Sequence, residues 1–204
     1  SQFIFMTQKQ ALEKKNIIVT GGAGFIGSHL CEQLVLDNNV ICIDNFVTGS
    51  QENISHLLTN PNFELLKLSL DESFDLESFP ELERFQIKTF GVQQVYHLAC
   101  PTSPKQFDEL RIATLNATSL GTKNTLELAK QYRASFLLAS SAVVYGPRHD
   151  DADIFSEDQH GDVDPVGPRA CYDEGKRFSE TQASTYAQVF GMDVKIARIF
   201  RTYG

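Results

Sequence analysis

Tyr172 and Lys176 stand four residues apart in the run Tyr172-Asp173-Glu174-Gly175-Lys176. On a helix that spacing puts both side chains on one face. A free tyrosine ionises near ~10, too high for a base at neutral pH. A neighbouring ammonium favours the phenolate and lowers that value. Such a pair can exchange a proton with a substrate hydroxyl. Ser140 and Ser141 close an apolar run upstream, and the spacing lets a serine hydroxyl meet the tyrosine. A lone Tyr-x-x-x-Lys arises often by chance, so its meaning depends on its surroundings.

The surroundings begin at Gly21-Gly22-Ala23-Gly24-Phe25-Ile26-Gly27. This run follows a short apolar strand and opens a helix-periodic stretch. Gly21 permits a tight turn off the strand, Gly24 lets backbone approach a pyrophosphate, and Gly27 allows helix to pack closely on sheet. The helix start offers unpaired N–H groups and the positive end of its dipole to phosphate. Asp44 ends the second apolar strand, placed to accept hydrogen bonds from ribose hydroxyls. Its charge repels a 2′-phosphate, which favours NAD over NADP. With a nicotinamide beside it, the tyrosine's proton exchange couples to hydride transfer.

The elements that position these residues alternate. Apolar strands are expected at 16–20, 40–43, 63–68, 94–98, 135–139 and 194–199, with helices over about 25–36, 108–131 and 172–190. Nearly continuous apolar strands separated by helices predict an α/β fold, a Rossmann doubly wound parallel sheet covered on both faces. Residues 1–15 read as a polar lead-in and 16–204 as one NAD-binding domain. The acidic segment 71–91, with Phe74, Leu76, Phe79, Leu82 and Phe85 on one side, is expected to form a crossing helix.

The net charge of -8 disfavours a nucleic-acid partner, which needs clustered Lys and Arg. No apolar run approaches the ~20 residues of a membrane span, and no signal peptide is evident. The four cysteines, Cys31, Cys42, Cys100 and Cys171, form no C-x-x-C pair and read as reduced thiols of a cytoplasmic protein. The scattered histidines and the acidic loop 146–167 lack regular ligand spacing, so no metal is expected.

On these residues the chain resembles the extended short-chain dehydrogenases/reductases that modify nucleotide sugars, and within them the UDP-glucuronate decarboxylases. The likeness rests on GGAGFIGSHL at 21–30, DNFVTG at 44–49, YHLACPTSP at 96–104, GPRACYDEGKR at 167–177 and ARIFRTYG at 197–204. It implies Tyr172, Lys176 and Ser141 as catalytic residues. It places Phe25 and Ile26 on the pyrophosphate, Asn45, Phe46, Thr48 and Gly49 around the adenosine, Leu98 and Ala99 near the cofactor, and Thr202 near the nicotinamide. Asn124, Lys130 and Tyr186 match positions associated with sugar-nucleotide binding or the adjoining subunit contact. A homodimer through the two long helices is implied as well.

The departures are specific. Ala142 and Val143 stand where the decarboxylases carry Ser and Glu, and the resulting Ser-Ala-x-Val-Tyr-Gly form is closer to UDP-hexose 4-epimerases. Ser69 replaces an adenine-contacting Asp, and Arg201 a substrate-facing Asn. Relatives continue beyond the position of Gly204 into a substrate-binding domain, so this stretch alone is expected to be inactive. The implied activity is NAD-dependent oxidation of a UDP-sugar at C4 followed by decarboxylation. The alternatives are 4-epimerisation, oxidation of a simpler alcohol, or NAD(H) binding without turnover.

Overall fold

Six short aliphatic runs pair in parallel in the computed structural model, which describes residues 14–102, 108–147 and 154–203. The strands are β1 (Asn16–Thr20), β2 (Asn39–Ile43), β3 (Phe63–Leu66), β4 (Gln94–His97), β5 (Ser135–Ser141) and β6 (Val194–Ile199), in the order β3-β2-β1-β4-β5-β6. β1 lies at the centre and all five of its residues are buried. Alternate side chains enter opposite layers. Ile17, Val19, Val40, Cys42 and Phe63 pack with Cys31 of the first helix on one face. Ile18, Ile41, Ile43, Val95, Phe136 and Leu138 form the other. Burial on both faces explains why these strands read as continuous apolar runs.

The helices are α1 (Phe25–Leu34), α2 (Ile87–Phe90), α3 (Arg111–Asn116), α4 (Thr122–Tyr132) and α5 (Ala170–Phe190). Gly191, at φ +66°, ends α5 in the left-handed region. The helix expected over 108–131 is two helices separated by a π-helical turn at Ala117–Gly121. Among the described residues no helix is long and apolar enough to cross a membrane.

The single helix expected within 71–91 does not form. Leu76–Ser78 and Pro80–Phe85 are 3-10 turns, and only Ile87–Phe90 is α-helical. The apolar residues explain the difference. Leu76, Phe79, Leu82 and Phe85 recur every three residues, which suits the three residues per turn of a 3-10 helix. Gln86, left-handed at φ 51°, then breaks the path. Leu76, Leu82, Phe85 and Ile87 are all buried in the core.

The strand order reverses between β1 and β4. A doubly wound sheet opens a crevice at such a point, beyond the carboxyl ends of its strands.

Candidate active site

That crevice is a cavity of about 740 Å³, bounded by residues that follow β1, β2, β3, β4, β5 and β6. Its floor is the glycine turn. Gly21 has φ +69°, and a Cβ there would lie 2.8 Å from the Ala99 nitrogen. A Cβ on Gly27 would collide with the Gly21 carbonyl. Gly24 differs: a Cβ there would meet only the Gly21 carbonyl, at 3.2 Å, so its missing side chain leaves space above the turn. Gly24 is the N-cap of α1, which has no side-chain cap and no acidic residue in its first turn. The first N–H groups of α1 are therefore left for an anion, with the exposed Phe25 and Ile26 beside them.

Asp44 is 8% exposed. Its carboxylate accepts from the Ala23 N–H at 2.9 Å and the Phe46 N–H at 2.8 Å, tying the glycine turn to the end of β2. A carboxylate has about four lone-pair sites, so two backbone donors leave acceptors for ribose hydroxyls. Asn45, Thr48 and Gly49 line the cavity; Phe46 does not. Its ring packs against the buried layer containing Val19 and Cys42, under the Lys67 ammonium at 5.7 Å. Leu98, Ala99 and Thr202 also line the cavity, as do Ser69 and Asp71. Asn45 donates to the Ser69 hydroxyl at 3.2 Å, and hydrogen bonding from Ser69 holds the Asp71 carboxyl below its ordinary range. A phosphate-accepting helix end, a carboxylate at the neighbouring strand end and an apolar slot at Leu68, Leu70 and Leu98 suit a dinucleotide.

At the other end, α5 and β5 bring Tyr172, Lys176 and Ser141 onto one wall. Lys176 is 5% exposed, and its ammonium donates to the Ala139 carbonyl at 2.8 Å. It lies 6.0 Å from the Tyr172 ring centre. The low tyrosine pKa expected from the sequence is not found. Burial raises the Tyr172 phenol above its ordinary value, and a hydrogen bond with Ser141 offsets this only in part. The lysine is engaged by a carbonyl rather than by the phenol. Ala142 and Val143 start a 3-10 turn, Ala142–Tyr145, and neither lines the cavity.

Asn124, Lys130 and Tyr186 are not brought to the cavity. Asn124 donates to the Leu70 carbonyl at 2.8 Å. Lys130 pairs with Glu127 at 2.6 Å, and Tyr186 donates to the same carboxylate.

Three groups behind the wall escaped the sequence reading. His97 bridges Thr20 at 2.8 Å and Thr122 at 3.2 Å, and burial pushes its pKa down to about 3. Glu180 and Arg198 form a mostly buried ion pair at 2.9 Å. Glu180 did carry a signal, since it continues the four-residue spacing of Tyr172 and Lys176. Arg148, Asp150, Asp151 and Asp153 of the acidic loop, and most of the N-terminal lead-in, lie outside the described residues.

This is the arrangement of the short-chain dehydrogenase/reductase class. The profile of the family described as GDP-mannose 4,6 dehydratase matches residues 18–204, and the chain belongs to that family. It is 45% identical to UDP-glucuronic acid decarboxylase 1 of Arabidopsis thaliana over 94% of this chain and 41% of the relative. It is 42% identical to UDP-glucuronic acid decarboxylase 1 of Danio rerio over 98% of this chain and 44% of that protein. The chain thus spans less than half the length of these relatives. Among solved structures it is similar to a UDP-N-acetylglucosamine 4-epimerase from Methanobrevibacter ruminantium, with 25% identity, TM-score 0.74, and coverage of 94% of this chain and 56% of that one. A dTDP-glucose 4,6-dehydratase from Bacillus anthracis in complex with NAD has 27% identity and TM-score 0.71, covering 93% and 56%.

Proposed function

We propose that the protein is an NAD-dependent nucleotide-sugar enzyme that oxidises a UDP-sugar at C4, in the manner of a UDP-glucuronate decarboxylase. The observation that carries this reading is the convergence of Ser141, Tyr172 and Lys176 on one wall of a cavity whose far end is the glycine turn. The decarboxylase relatives, matched over nearly the whole chain, support the substrate class.

The α1 N-terminus, the glycine turn and Asp44 would hold an oxidised dinucleotide, which would supply a reversible acceptor for the C4 hydride and a positive charge to the site. That charge and the Lys176 ammonium favour the phenolate. Tyr172 then takes the proton of the C4 hydroxyl, and Ser141 donates a hydrogen bond to the oxygen that becomes the carbonyl. With a ketone at C4, the carboxylate on C5 is a β-keto acid. Its C–C bond breaks, CO₂ leaves, and the electron pair passes to the ketone oxygen as an enolate held by Ser141 and Tyr172; a proton added at C5 gives the 4-keto pentose, and return of the hydride to C4 with the Tyr172 proton to its oxygen would give UDP-xylose.

A second reading, 4-epimerisation, is favoured by Ala142 and Val143, which lack the ionisable group that relatives carry there. It shares the first oxidation. Proton NMR of the full-length protein with NAD⁺ and UDP-glucuronate, and in parallel with UDP-glucose, separates the two. We expect UDP-xylose or the 4-keto pentose. UDP-galacturonate, or UDP-galactose from UDP-glucose, would establish the epimerase, and both substrates unchanged would overturn both readings.

We further propose that two copies pair through α3, α4 and α5. Ile112 is 70% exposed, and Leu115 of α3, Leu120 of the π turn and Phe178 of α5 are exposed as well on this packed helical layer. Light scattering on the purified protein should give a dimer mass; a monomer would sink this pairing.

A further inference from the structure

Three consecutive residues of β5 are each tied to the same stripe of α5. The Ser141 hydroxyl and the Tyr172 phenol face the same cavity, close enough for the serine to lower the phenol's pKa. The Ala139 carbonyl takes the Lys176 ammonium at 2.8 Å. Between them, Ser140 donates to the Glu180 carboxylate at 2.6 Å. Tyr172, Lys176 and Glu180 follow one another at four-residue intervals and so share a helix face. The Ser140 rung is the only one of these three whose helix residue does not reach the cavity.

Glu180 is itself held. Arg198 of β6 donates to both of its oxygens, from Nε at 3.0 Å and from Nη2 at 2.9 Å, the bidentate geometry that fixes direction as well as distance. Arg198 is the register partner of Ser140 across β5 and β6. Its guanidinium also lies 4.7 Å from the centre of the Tyr145 ring and donates to the Glu157 carbonyl at 3.1 Å. Ser140, Glu180 and Arg198 thus form a closed triangle joining the two strands and the helix directly behind the catalytic wall.

We propose that Glu180, clamped by Arg198, is a positioning residue that sets Ser141 opposite Tyr172 through Ser140. The idea rests on the role given above to Ser141 and Tyr172. Glu180 does not line the cavity. It fixes where the strand end stands relative to the helix, and a displacement of ~1 Å at a reacting hydroxyl can cost on the order of a hundredfold in rate.

Removing Glu180 outright would strip the partly buried Arg198 of its carboxylate partner, which is destabilising. The first variant is therefore Ser140→Ala, which deletes one rung and leaves the ion pair. The second is Glu180→Gln, which keeps an acceptor for Ser140 but removes the charge that holds Arg198. Two readouts are needed. One is turnover and dinucleotide affinity, measured separately. The other is the ultraviolet titration of the Tyr172 phenol, taken as a difference against Tyr172→Phe, which requires no substrate and no turnover. Cys100, Asp173, Arg169 and Lys176, the ionisable neighbours of the phenol, are unchanged in both variants.

Ser140→Ala should lower kcat roughly tenfold or more, leave dinucleotide affinity within about twofold, and raise the Tyr172 pKa as the Ser141 hydrogen bond loosens. Glu180→Gln should do the same more weakly. An unmoved tyrosine titration in folded Ser140→Ala would overturn the proposal, as would a fall in turnover matched by an equal loss of dinucleotide affinity. If the wild-type protein turns over no UDP-sugar, the proposed activity fails while the tyrosine titration still decides the positioning role.

Discussion

The two ends of the cavity are built differently. At the glycine turn, neighbours in sequence do most of the work. Gly21, Gly24 and Gly27 lie within one turn and the first turn of α1, and Asp44 needs only the next strand to reach them. Ile18, Val19, Ile41 and Cys42 beneath it are fully buried. At the catalytic wall, by contrast, the partners come from distant parts of the chain. Ser140 and Glu180 are 40 residues apart, and Lys176 meets a carbonyl 37 residues away. The outer strand there is only half covered, with Ile196 38% exposed, and Phe200 just beyond its end is 55% exposed. One end is a local motif on a closed core; the other is an assembly of long-range contacts at an open margin.

Substitutions should separate the ends. Tyr172→Phe removes the proton-transfer group and should cost about 10²–10⁴-fold in turnover while dinucleotide binding stays within a few-fold. Parallel fluorescence titration and product assay would show this, and equal losses in both would mean that the two ends are not independent. Gly27→Ala should do the reverse at the binding end. Its Cβ meets the Gly21 carbonyl, so the turn must open, costing roughly 1–3 kcal/mol of stability and most of the dinucleotide affinity. Urea unfolding and binding measurements would check it; a wild-type melt with normal binding would show the turn to be softer than its packing implies.

The smallest effect concerns His97, which joins the two ends through Thr20 and Thr122. Its folded pKa is about 3, below the ~6.5 of an unfolded histidine. Between these values the unfolded chain binds a proton that the native protein refuses. Stability from this group is therefore complete above pH ~6.5 and falls as the pH drops towards 3, by at most ~1.4 kcal/mol per pH unit. His97→Gln should flatten that part of the slope between pH 7 and 5.5. Identical slopes in the two proteins would argue against a buried neutral imidazole.

The same contrast governs what could be read from the residues alone. All six strands were legible as short, largely apolar runs, β1 and β2 buried along almost their whole length and β6 only partly covered. β1 and β6 match their expected ranges, 16–20 and 194–199, at both ends. The glycine turn and Asp44 were legible because glycine is required by local geometry. The 71–91 segment departs from the expected single helix because an apolar spacing of three suits 3-10 turns as well as it suits a helical face. The Tyr172–Lys176 spacing correctly implied a shared wall, yet spacing says nothing about burial, and burial sets the phenol's pKa. Glu180 and Arg198 were invisible as a pair, since they meet only when β6 lies beside β5.

The π turn at Ala117–Gly121 contains one residue more than an α-helical turn would use. An extra residue advances a helix by about 100°. α3 and α4 are therefore out of phase, although they run on continuously. Ala113, Asn116 and Ala117 line the cavity, while Leu126, Leu128 and Ala129 enter the core. The carbonyl of Thr118, within the turn, takes the Ser179 hydroxyl at 2.8 Å and the Gln182 amide at 3.2 Å. Deleting a single residue from this turn would rotate one of the two faces away from its partner. The insertion lets one continuous rod serve a ligand and a hydrophobic layer that lie in different directions.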